Sequence, residues 1–317
     1  MKKLKRFSDI STLVGIVAVI LLILVFYCLN NSFLNAFNIR NLLVDMSPLL
    51  VMSVGVTFII VIGSTDLSIG ATCSLASVLF VRLAPQFGLW AYALVLGFGF
   101  LSGLVIGLLQ AKLKVPSFIA SLGIMSIWES LALVCSDSGT IQLNPKQWYT
   151  IDWMSTLIGP IPLMFLLALL ITGIYIFVQS RTSLGKYVFS IGANERAAWM
   201  LGVPVTRTKI LFFAFGGVCY VLGGIMFVAK LVSGGPNVGD NYTLLSIAAV
   251  ALGGTSMAGG KGSVIKTLLG VMIAIVVRNG MTVVGVDSFW QKIVYGSIII
   301  IAAYLTADHS NKEQIVK

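Results

Sequence analysis

The sequence predicts an all-α polytopic membrane protein of about ten transmembrane helices with both termini cytoplasmic, and three observations lead there. Of the 317 residues, 58% are hydrophobic and 10% charged, whereas an ordinary soluble domain carries about 25% charged residues. Apolar windows of about 20 residues, the length that crosses a bilayer as a helix, recur from Ile10 to Leu305 with short polar breaks. The basic residues are also unevenly shared between the two sides that alternating spans define. With the N-terminus inside, fifteen Lys and Arg fall on the inner side and six on the outer: Arg40, Arg82, Lys146, Lys230, Arg278 and Lys292. Cytoplasmic loops carry such an excess in membrane proteins.

The spans read near 10–29, 46–63, 67–84, 88–110, 115–135, 157–179, 210–230, 243–258, 264–284 and 289–306. The first follows a basic run, Lys2 to Arg6, in the order of a signal peptide, but exits into Asn30-Asn31-Ser32 with no small-residue cleavage site, so it reads as a retained helix. Residues 1–317 are expected to form a single transmembrane domain, with no soluble domain read in the sequence. Its long loops face opposite ways, 136–156 outward and 180–209 into the cytoplasm.

In the inner loop, Asn194 is a fair helix N-cap, Glu195 occupies the positive helix end, Ala197 and Ala198 favour helix, and Gly202 with Pro204 stops it. The short helix displays Trp199, Met200 and Leu201. Two readings fit it: a helix resting on the bilayer, or a plug that docks into a cytoplasmic partner.

The net charge of +10 sits in short loops with no stripe of interleaved aromatics, which argues against nucleic acid and for topology. Cys28, Cys73, Cys135 and Cys219 have no metal or redox spacing and read as small apolar residues. With the single histidine, His309, in the polar tail, His-based catalysis and multi-His metal sites are excluded, and no Gly-x-Ser-x-Gly frame is present. The expectation is a chain that is not an enzyme. Gly253 to Ser263 resembles a phosphate loop superficially, but Gly262 follows Lys261 where Ser or Thr is needed. Its glycines suit a tight inner turn and close helix packing, or direct contact with solute.

Charges at membrane depth are costly. Asp66, in Gly63-Ser-Thr-Asp-Leu-Ser-Ile-Gly70, stands where Ser64, Thr65 or Asp66 can cap the next helix, or where it meets solute or a gate. Glu129 and Arg278 lie nearer the outer side and could pair. So few intramembrane charges, beside many Ser, Thr, Asn and Gly, favour a pathway for a neutral polar solute.

Four ordered stretches resemble the permeases of bacterial sugar ABC importers of the ribose/galactose/xylose type, over nearly the whole chain. Gly63 to Gly70 is similar to that family's Gly-Gly-Ile-Asp-Leu-Ser-Val-Gly, and Val115-Pro-Ser-Phe-Ile-Ala-Ser-Leu-Gly123 to its Pro-x-Phe-Ile-x-Thr-Leu. Ile247 to Gly262 is nearly the family form, and Asn279 to Gly296 resembles its last-helix signature. The sequence departs at Ser64 and Thr65, at Thr243 and Leu245 where acids are frequent, and at Glu129 where glycine is usual.

The resemblance implies a multi-pass protein of the bacterial inner membrane that moves a monosaccharide or similar neutral polar solute inward by alternating access. The loop Ile191 to Val203 resembles the family's coupling segment. This implies that Asn194, Glu195, Arg196, Ala197, Ala198, Trp199, Met200 and Leu201 dock on a cytoplasmic ATP-binding subunit, which holds ATP and Mg, this chain holding no cofactor. It implies further partners: a periplasmic or lipid-anchored sugar-binding protein and a second permease, as homodimer or heterodimer. Asp66, Ser68, Thr255, Ser256 and Asn279 are expected near the pathway or its hinges. Alternatives are an ABC permease for amino acids or nucleosides, or an ion-coupled secondary transporter.

Overall fold

A computed structural model describes residues 2–300 except 288, 292, 295, 298 and 299. The expected last span, 289–306, therefore runs beyond the described residues. Lys292 and the tail with His309, Lys312 and Lys317 lie outside them.

The chain is mostly helical: α1 (Lys2–Leu29), α2 (Ala36–Val61), α3 (Ile69–Phe87), α4 (Trp90–Ala111), α5 (Ser117–Cys135), α6 (Asp152–Ser155), α7 (Leu163–Arg181), α8 (Ser183–Ala193), α9 (Glu195–Met200), α10 (Val205–Leu231), α11 (Asp240–Leu252) and α12 (Val264–Val284). Among the described residues seven of these, α2, α3, α4, α5, α7, α10 and α12, are long and apolar enough to cross a membrane, and the apolar stretches Gly15–Leu29 and Asp240–Leu252 are shorter. The chain is a polytopic membrane protein.

Helices α2 and α10 form the core. From Met46 to Val61 every residue of α2 is buried, although Pro48 interrupts its backbone bonding. Around this centre α4 packs on α10, α5 on α3, α7 on α2, and α1 on α12. Exposed apolar side chains line the outer surfaces of α4, α5 and α7, such as Leu101, Ile119 and Phe177, where hydrocarbon replaces water. Backbones meet closely where α4 carries Gly99, Gly103 and Gly107, one helical turn apart: a Cβ on Gly103 would lie 2.0 Å from the Phe213 carbonyl of α10. Such small-residue spacing allows two membrane helices to approach.

The all-α expectation needs small corrections. Two two-residue antiparallel ladders are present, β1 (Ile141–Gln142) with β4 (Ser233–Gly234) and β2 (Leu157–Ile158) with β3 (Ile161–Pro162). The second, turning at Gly159 (φ +62°) and Pro160, takes the residues expected to open a span at 157, so α7 begins at Leu163. Helix α11 stops at Leu252 rather than 258, because Gly254 adopts φ +78°.

Two chain breaks divide helices inside the bundle. Non-helical residues 62–68 separate α2 from α3, and residues 232–239 separate α10 from α11. One end of the bundle carries the long loop between α5 and α7, and the other carries α8 and α9.

Candidate coupling and translocation sites

At the α8–α9 end the chain forms a helical hairpin. Thr182 caps α8 by accepting from the Gly185 amide (3.4 Å), and Val188 and Ile191 of α8 are buried. Asn194 caps α9, its Oδ1 accepting from the Ala197 amide (3.0 Å). The helix ends through the Val203 amide on the Ala198 carbonyl (3.0 Å), with Gly202 at φ +82°. Glu195 accepts a hydrogen bond from the largely buried Lys209 of α10 (2.7 Å), which ties α9 to the core helix. Ala198 is buried beneath α9, whereas Trp199, Met200 and Leu201 are 68%, 65% and 83% exposed. Asn194, Glu195, Arg196 and Ala197 are also exposed. Three large apolar side chains are thus held outward on a short helix fixed by a cap and an ion pair.

The hairpin abuts the glycine turn. A Cβ on Gly192, at the end of α8, would meet the Val61 carbonyl at 1.8 Å and the Gly260 amide at 2.5 Å, and Gly260 donates to Val61 (2.8 Å). Gly259 and Gly260 have φ +88° and +74°, and a Cβ on Gly259 would lie 2.9 Å from Gly63 Cα. Thr255 and Ser256 belong to this turn: Ser256 donates its amide to the Lys261 carbonyl (2.9 Å), and Thr255 is buried with its hydroxyl unpaired. The end of α8 therefore lies directly against the junction of α2 with the Asp66 segment.

Asp66 is fully buried. Its Oδ1 accepts from the Ser68 amide (2.9 Å) and the Ser68 hydroxyl (2.7 Å), a turn that sets the entry to α3. The N-cap position belongs to Ser68, two residues after Asp66, and not to Ser64, Thr65 or Asp66 as expected from sequence. The Asp66 carboxylate also interacts with the buried Tyr220 hydroxyl of α10, although Oδ2 and that hydroxyl fall short of good hydrogen-bond geometry.

Just beyond, the openings of α3 and α11 clasp one another. The Gly70 amide donates to Thr243 Oγ1 (2.9 Å) and the Gly239 amide to Ser74 Oγ (2.8 Å). Each glycine is thus held by the hydroxyl four residues beyond the other. A Cβ on Gly239 would lie 2.2 Å from the Gly70 carbonyl, so neither position has room for a side chain.

Asn279 lies far from Asp66 in the fold, at the opposite, loop end. It exchanges two side-chain hydrogen bonds with Asn38 of α2 (2.8 and 3.0 Å). Both line a cavity of about 600 Å³ between α2, α10, α12 and the β2–β3 hairpin. The five residues expected near the pathway therefore divide into three places, with Asp66 and Ser68 at the helix break, Thr255 and Ser256 in the glycine turn, and Asn279 at the loop-end cavity. Arg278 does not pair with Glu129; it bonds the Tyr242 hydroxyl and lies over that ring, 5.0 Å from its centroid. Glu129 stands half-buried on α5.

The helix bundle, its interrupted helices and the exposed helical hairpin at one end are those of a multi-pass membrane protein, and its relatives make it a transport permease. Residues 38–303 match the family described as branched-chain amino acid transport system / permease component, and the chain belongs to that family. It is 35% identical to the ribose import permease of Bacillus subtilis over 96% of this chain and 92% of that protein. It is 32% identical to the ribose import permease of Escherichia coli K12 over 95% and 94%. To the galactose/methyl galactoside import permease of Haemophilus influenzae the identity is 33%, over 86% of each chain. No solved structure matches. The chain is a multi-pass protein of the bacterial inner membrane.

Proposed function

We propose that this chain is the membrane permease subunit of an ATP-binding-cassette importer that carries a monosaccharide or similar neutral polar solute into the cytoplasm. The observation that carries the reading is the α9 hairpin, where Trp199, Met200 and Leu201 project from a helix anchored by Asn194 and by Lys209 on Glu195. An apolar knob on rigid support suits docking against a separate ATP-binding subunit. ATP and Mg belong to that subunit; this chain holds no cofactor and performs no catalysis.

In this reading the α8–α9 end is cytoplasmic, both termini are inside and the spans number ten, the short α1 and α11 stretches and the last segment included. Residues 1–317 act as one permease unit. Nucleotide-driven movement of the hairpin passes through Gly192 to the Gly259–Gly260 turn and the Asp66 break, and the α3–α11 clasp rearranges between inward and outward states. A second permease, an identical copy or a sister chain, completes the pathway in this reading. A periplasmic or lipid-anchored binding protein delivers solute at the loop end. The names of the relatives favour a sugar; an amino acid is the second reading, favoured by the family's description.

The test is purification of the tagged chain in mild detergent with identification of co-purifying proteins, beside a variant carrying Glu195→Ala, Arg196→Ala and Trp199→Ala. A stoichiometric ATP-binding subunit, lost from the variant, is expected. Recovery of the intact chain with no such subunit from wild-type membranes contradicts the proposal.

A further inference from the structure

We infer that the cavity at the loop end is a solute site of the permease itself, one that holds a neutral polyhydroxylated ring; the inference rests on the reading of the chain as a sugar permease. At about 600 Å³ the cavity falls within the range of about 300–1,000 Å³ usual for small-molecule sites. Its polar wall is made chiefly of groups that both donate and accept. Asn38 and Asn279 hold one another in a reciprocal pair. The Asn279 amide then retains a second N–H and a second lone pair, and Asn41 and Thr282 line the same wall. Planar carboxamides match adjacent hydroxyls on a ring, because each hydroxyl also donates and accepts.

The charges in the cavity are largely self-compensated. Asp45 of α2 and Lys230 of α10 form an ion pair across it, which removes the isolated charge that would select an ionic solute. Arg40 lies exposed at the wall. The Phe37 ring, 71% exposed on the same side, offers an apolar face for the C–H face of a sugar. The walls come chiefly from α2, α10 and α12, with α6, β3 and the start of α7 closing the loop side, so an occupant is held at the meeting point of several helices.

The test uses the complete importer in proteoliposomes with a panel of radiolabelled neutral pentoses and hexoses that includes ribose and galactose. Asn41→Leu removes hydrogen bonding from the wall and is expected to raise the uptake KM about tenfold, the equivalent of about 1.4 kcal/mol of lost binding. Co-purification of the ATP-binding subunit checks that the variant is assembled, and Asp137→Asn, outside the cavity, keeps the wild-type KM. In a Cys28→Ser background, Asn41→Cys is then labelled with a membrane-impermeant thiol reagent. Slower labelling in the presence of the transported sugar, and not of inorganic phosphate, is expected. An unchanged KM with labelling indifferent to the sugar, or protection by phosphate instead, overturns the site while leaving the sugar-permease reading intact. Failure of the wild-type importer to move any of the panel shows that the reading itself is wrong, and the site falls with it.

Discussion

Replacing Gly103 by Ala tests how α4 is held to α10. A Cβ there would sit 2.0 Å from the Phe213 carbonyl and 2.8 Å from Ala214 Cα. Ordinary contact begins near 3.4 Å, so the helices must separate by about 1.4 Å or tilt, and the obstacle is backbone rather than a side chain that can turn away. Gly99, which would meet the Gly217 carbonyl at 2.6 Å, and Gly107, 2.8 Å from Ile210 Cα, hold the same interface above and below. Overpacking of this kind costs about 1–3 kcal/mol. Alanine also gains about 1 kcal/mol of helix propensity over glycine, and that gain is removed by a control on the same helix. Gly97 is exposed with nothing within 4 Å of its would-be Cβ. Reversible unfolding of the purified chain in mixed micelles is the assay. Gly103→Ala is expected to be about 1–3 kcal/mol less stable than Gly97→Ala; equal stabilities would refute the close approach of the two backbones.

Asp66→Ala removes the acceptor for both Ser68 bonds and is expected to destabilise the chain by about 1–3 kcal/mol, whereas Asp66→Asn keeps an oxygen for them and loses less; micellar unfolding separates the two. Glu195→Gln leaves the largely buried Lys209 ammonium without its carboxylate, and transport by the complete importer is expected to fall more than in Arg196→Gln, whose side chain carries no such bond. Changing Trp199, Met200 and Leu201 together to Ser is expected to leave the unfolding midpoint of the isolated chain within about 0.5 kcal/mol of wild type, while co-purification of the ATP-binding subunit is lost. Asp137→Asn removes an exposed ion pair with Arg82 and is expected to change stability by no more than about 1 kcal/mol.

The membrane class and most span positions were legible because hydropathy over about 20 residues reports a demand every spanning helix must meet. The α9 helix was legible residue by residue, from Asn194 at its cap to Gly202 at its end, because capping and left-handed glycine are local chemistry. Helix α8 was not read, although Thr182 as cap and Leu184, Val188 and Ile191 at helical spacing mark it. The Gly99, Gly103, Gly107 series on α4 was likewise present in the sequence as small residues every fourth position, but which helix it packs on depends on tertiary contacts. So do the α3–α11 clasp, which joins residues 173 and 165 positions apart, and the loop-end cavity, which collects Asn38 and Asn279 from opposite ends of the chain. Asp66 stands out in the sequence as a costly charge, yet the approach of the Tyr220 hydroxyl to its carboxylate depends on the fold.

The most direct test of the permease assignment is solute uptake into proteoliposomes that contain the chain with its ATP-binding subunit, with ATP either enclosed or withheld. Uptake that requires enclosed ATP and the binding protein, and disappears when the Trp199-Met200-Leu201 knob is replaced by Ser, is the predicted result. Uptake by the chain alone, driven by an imposed proton or sodium gradient and indifferent to ATP, would contradict it.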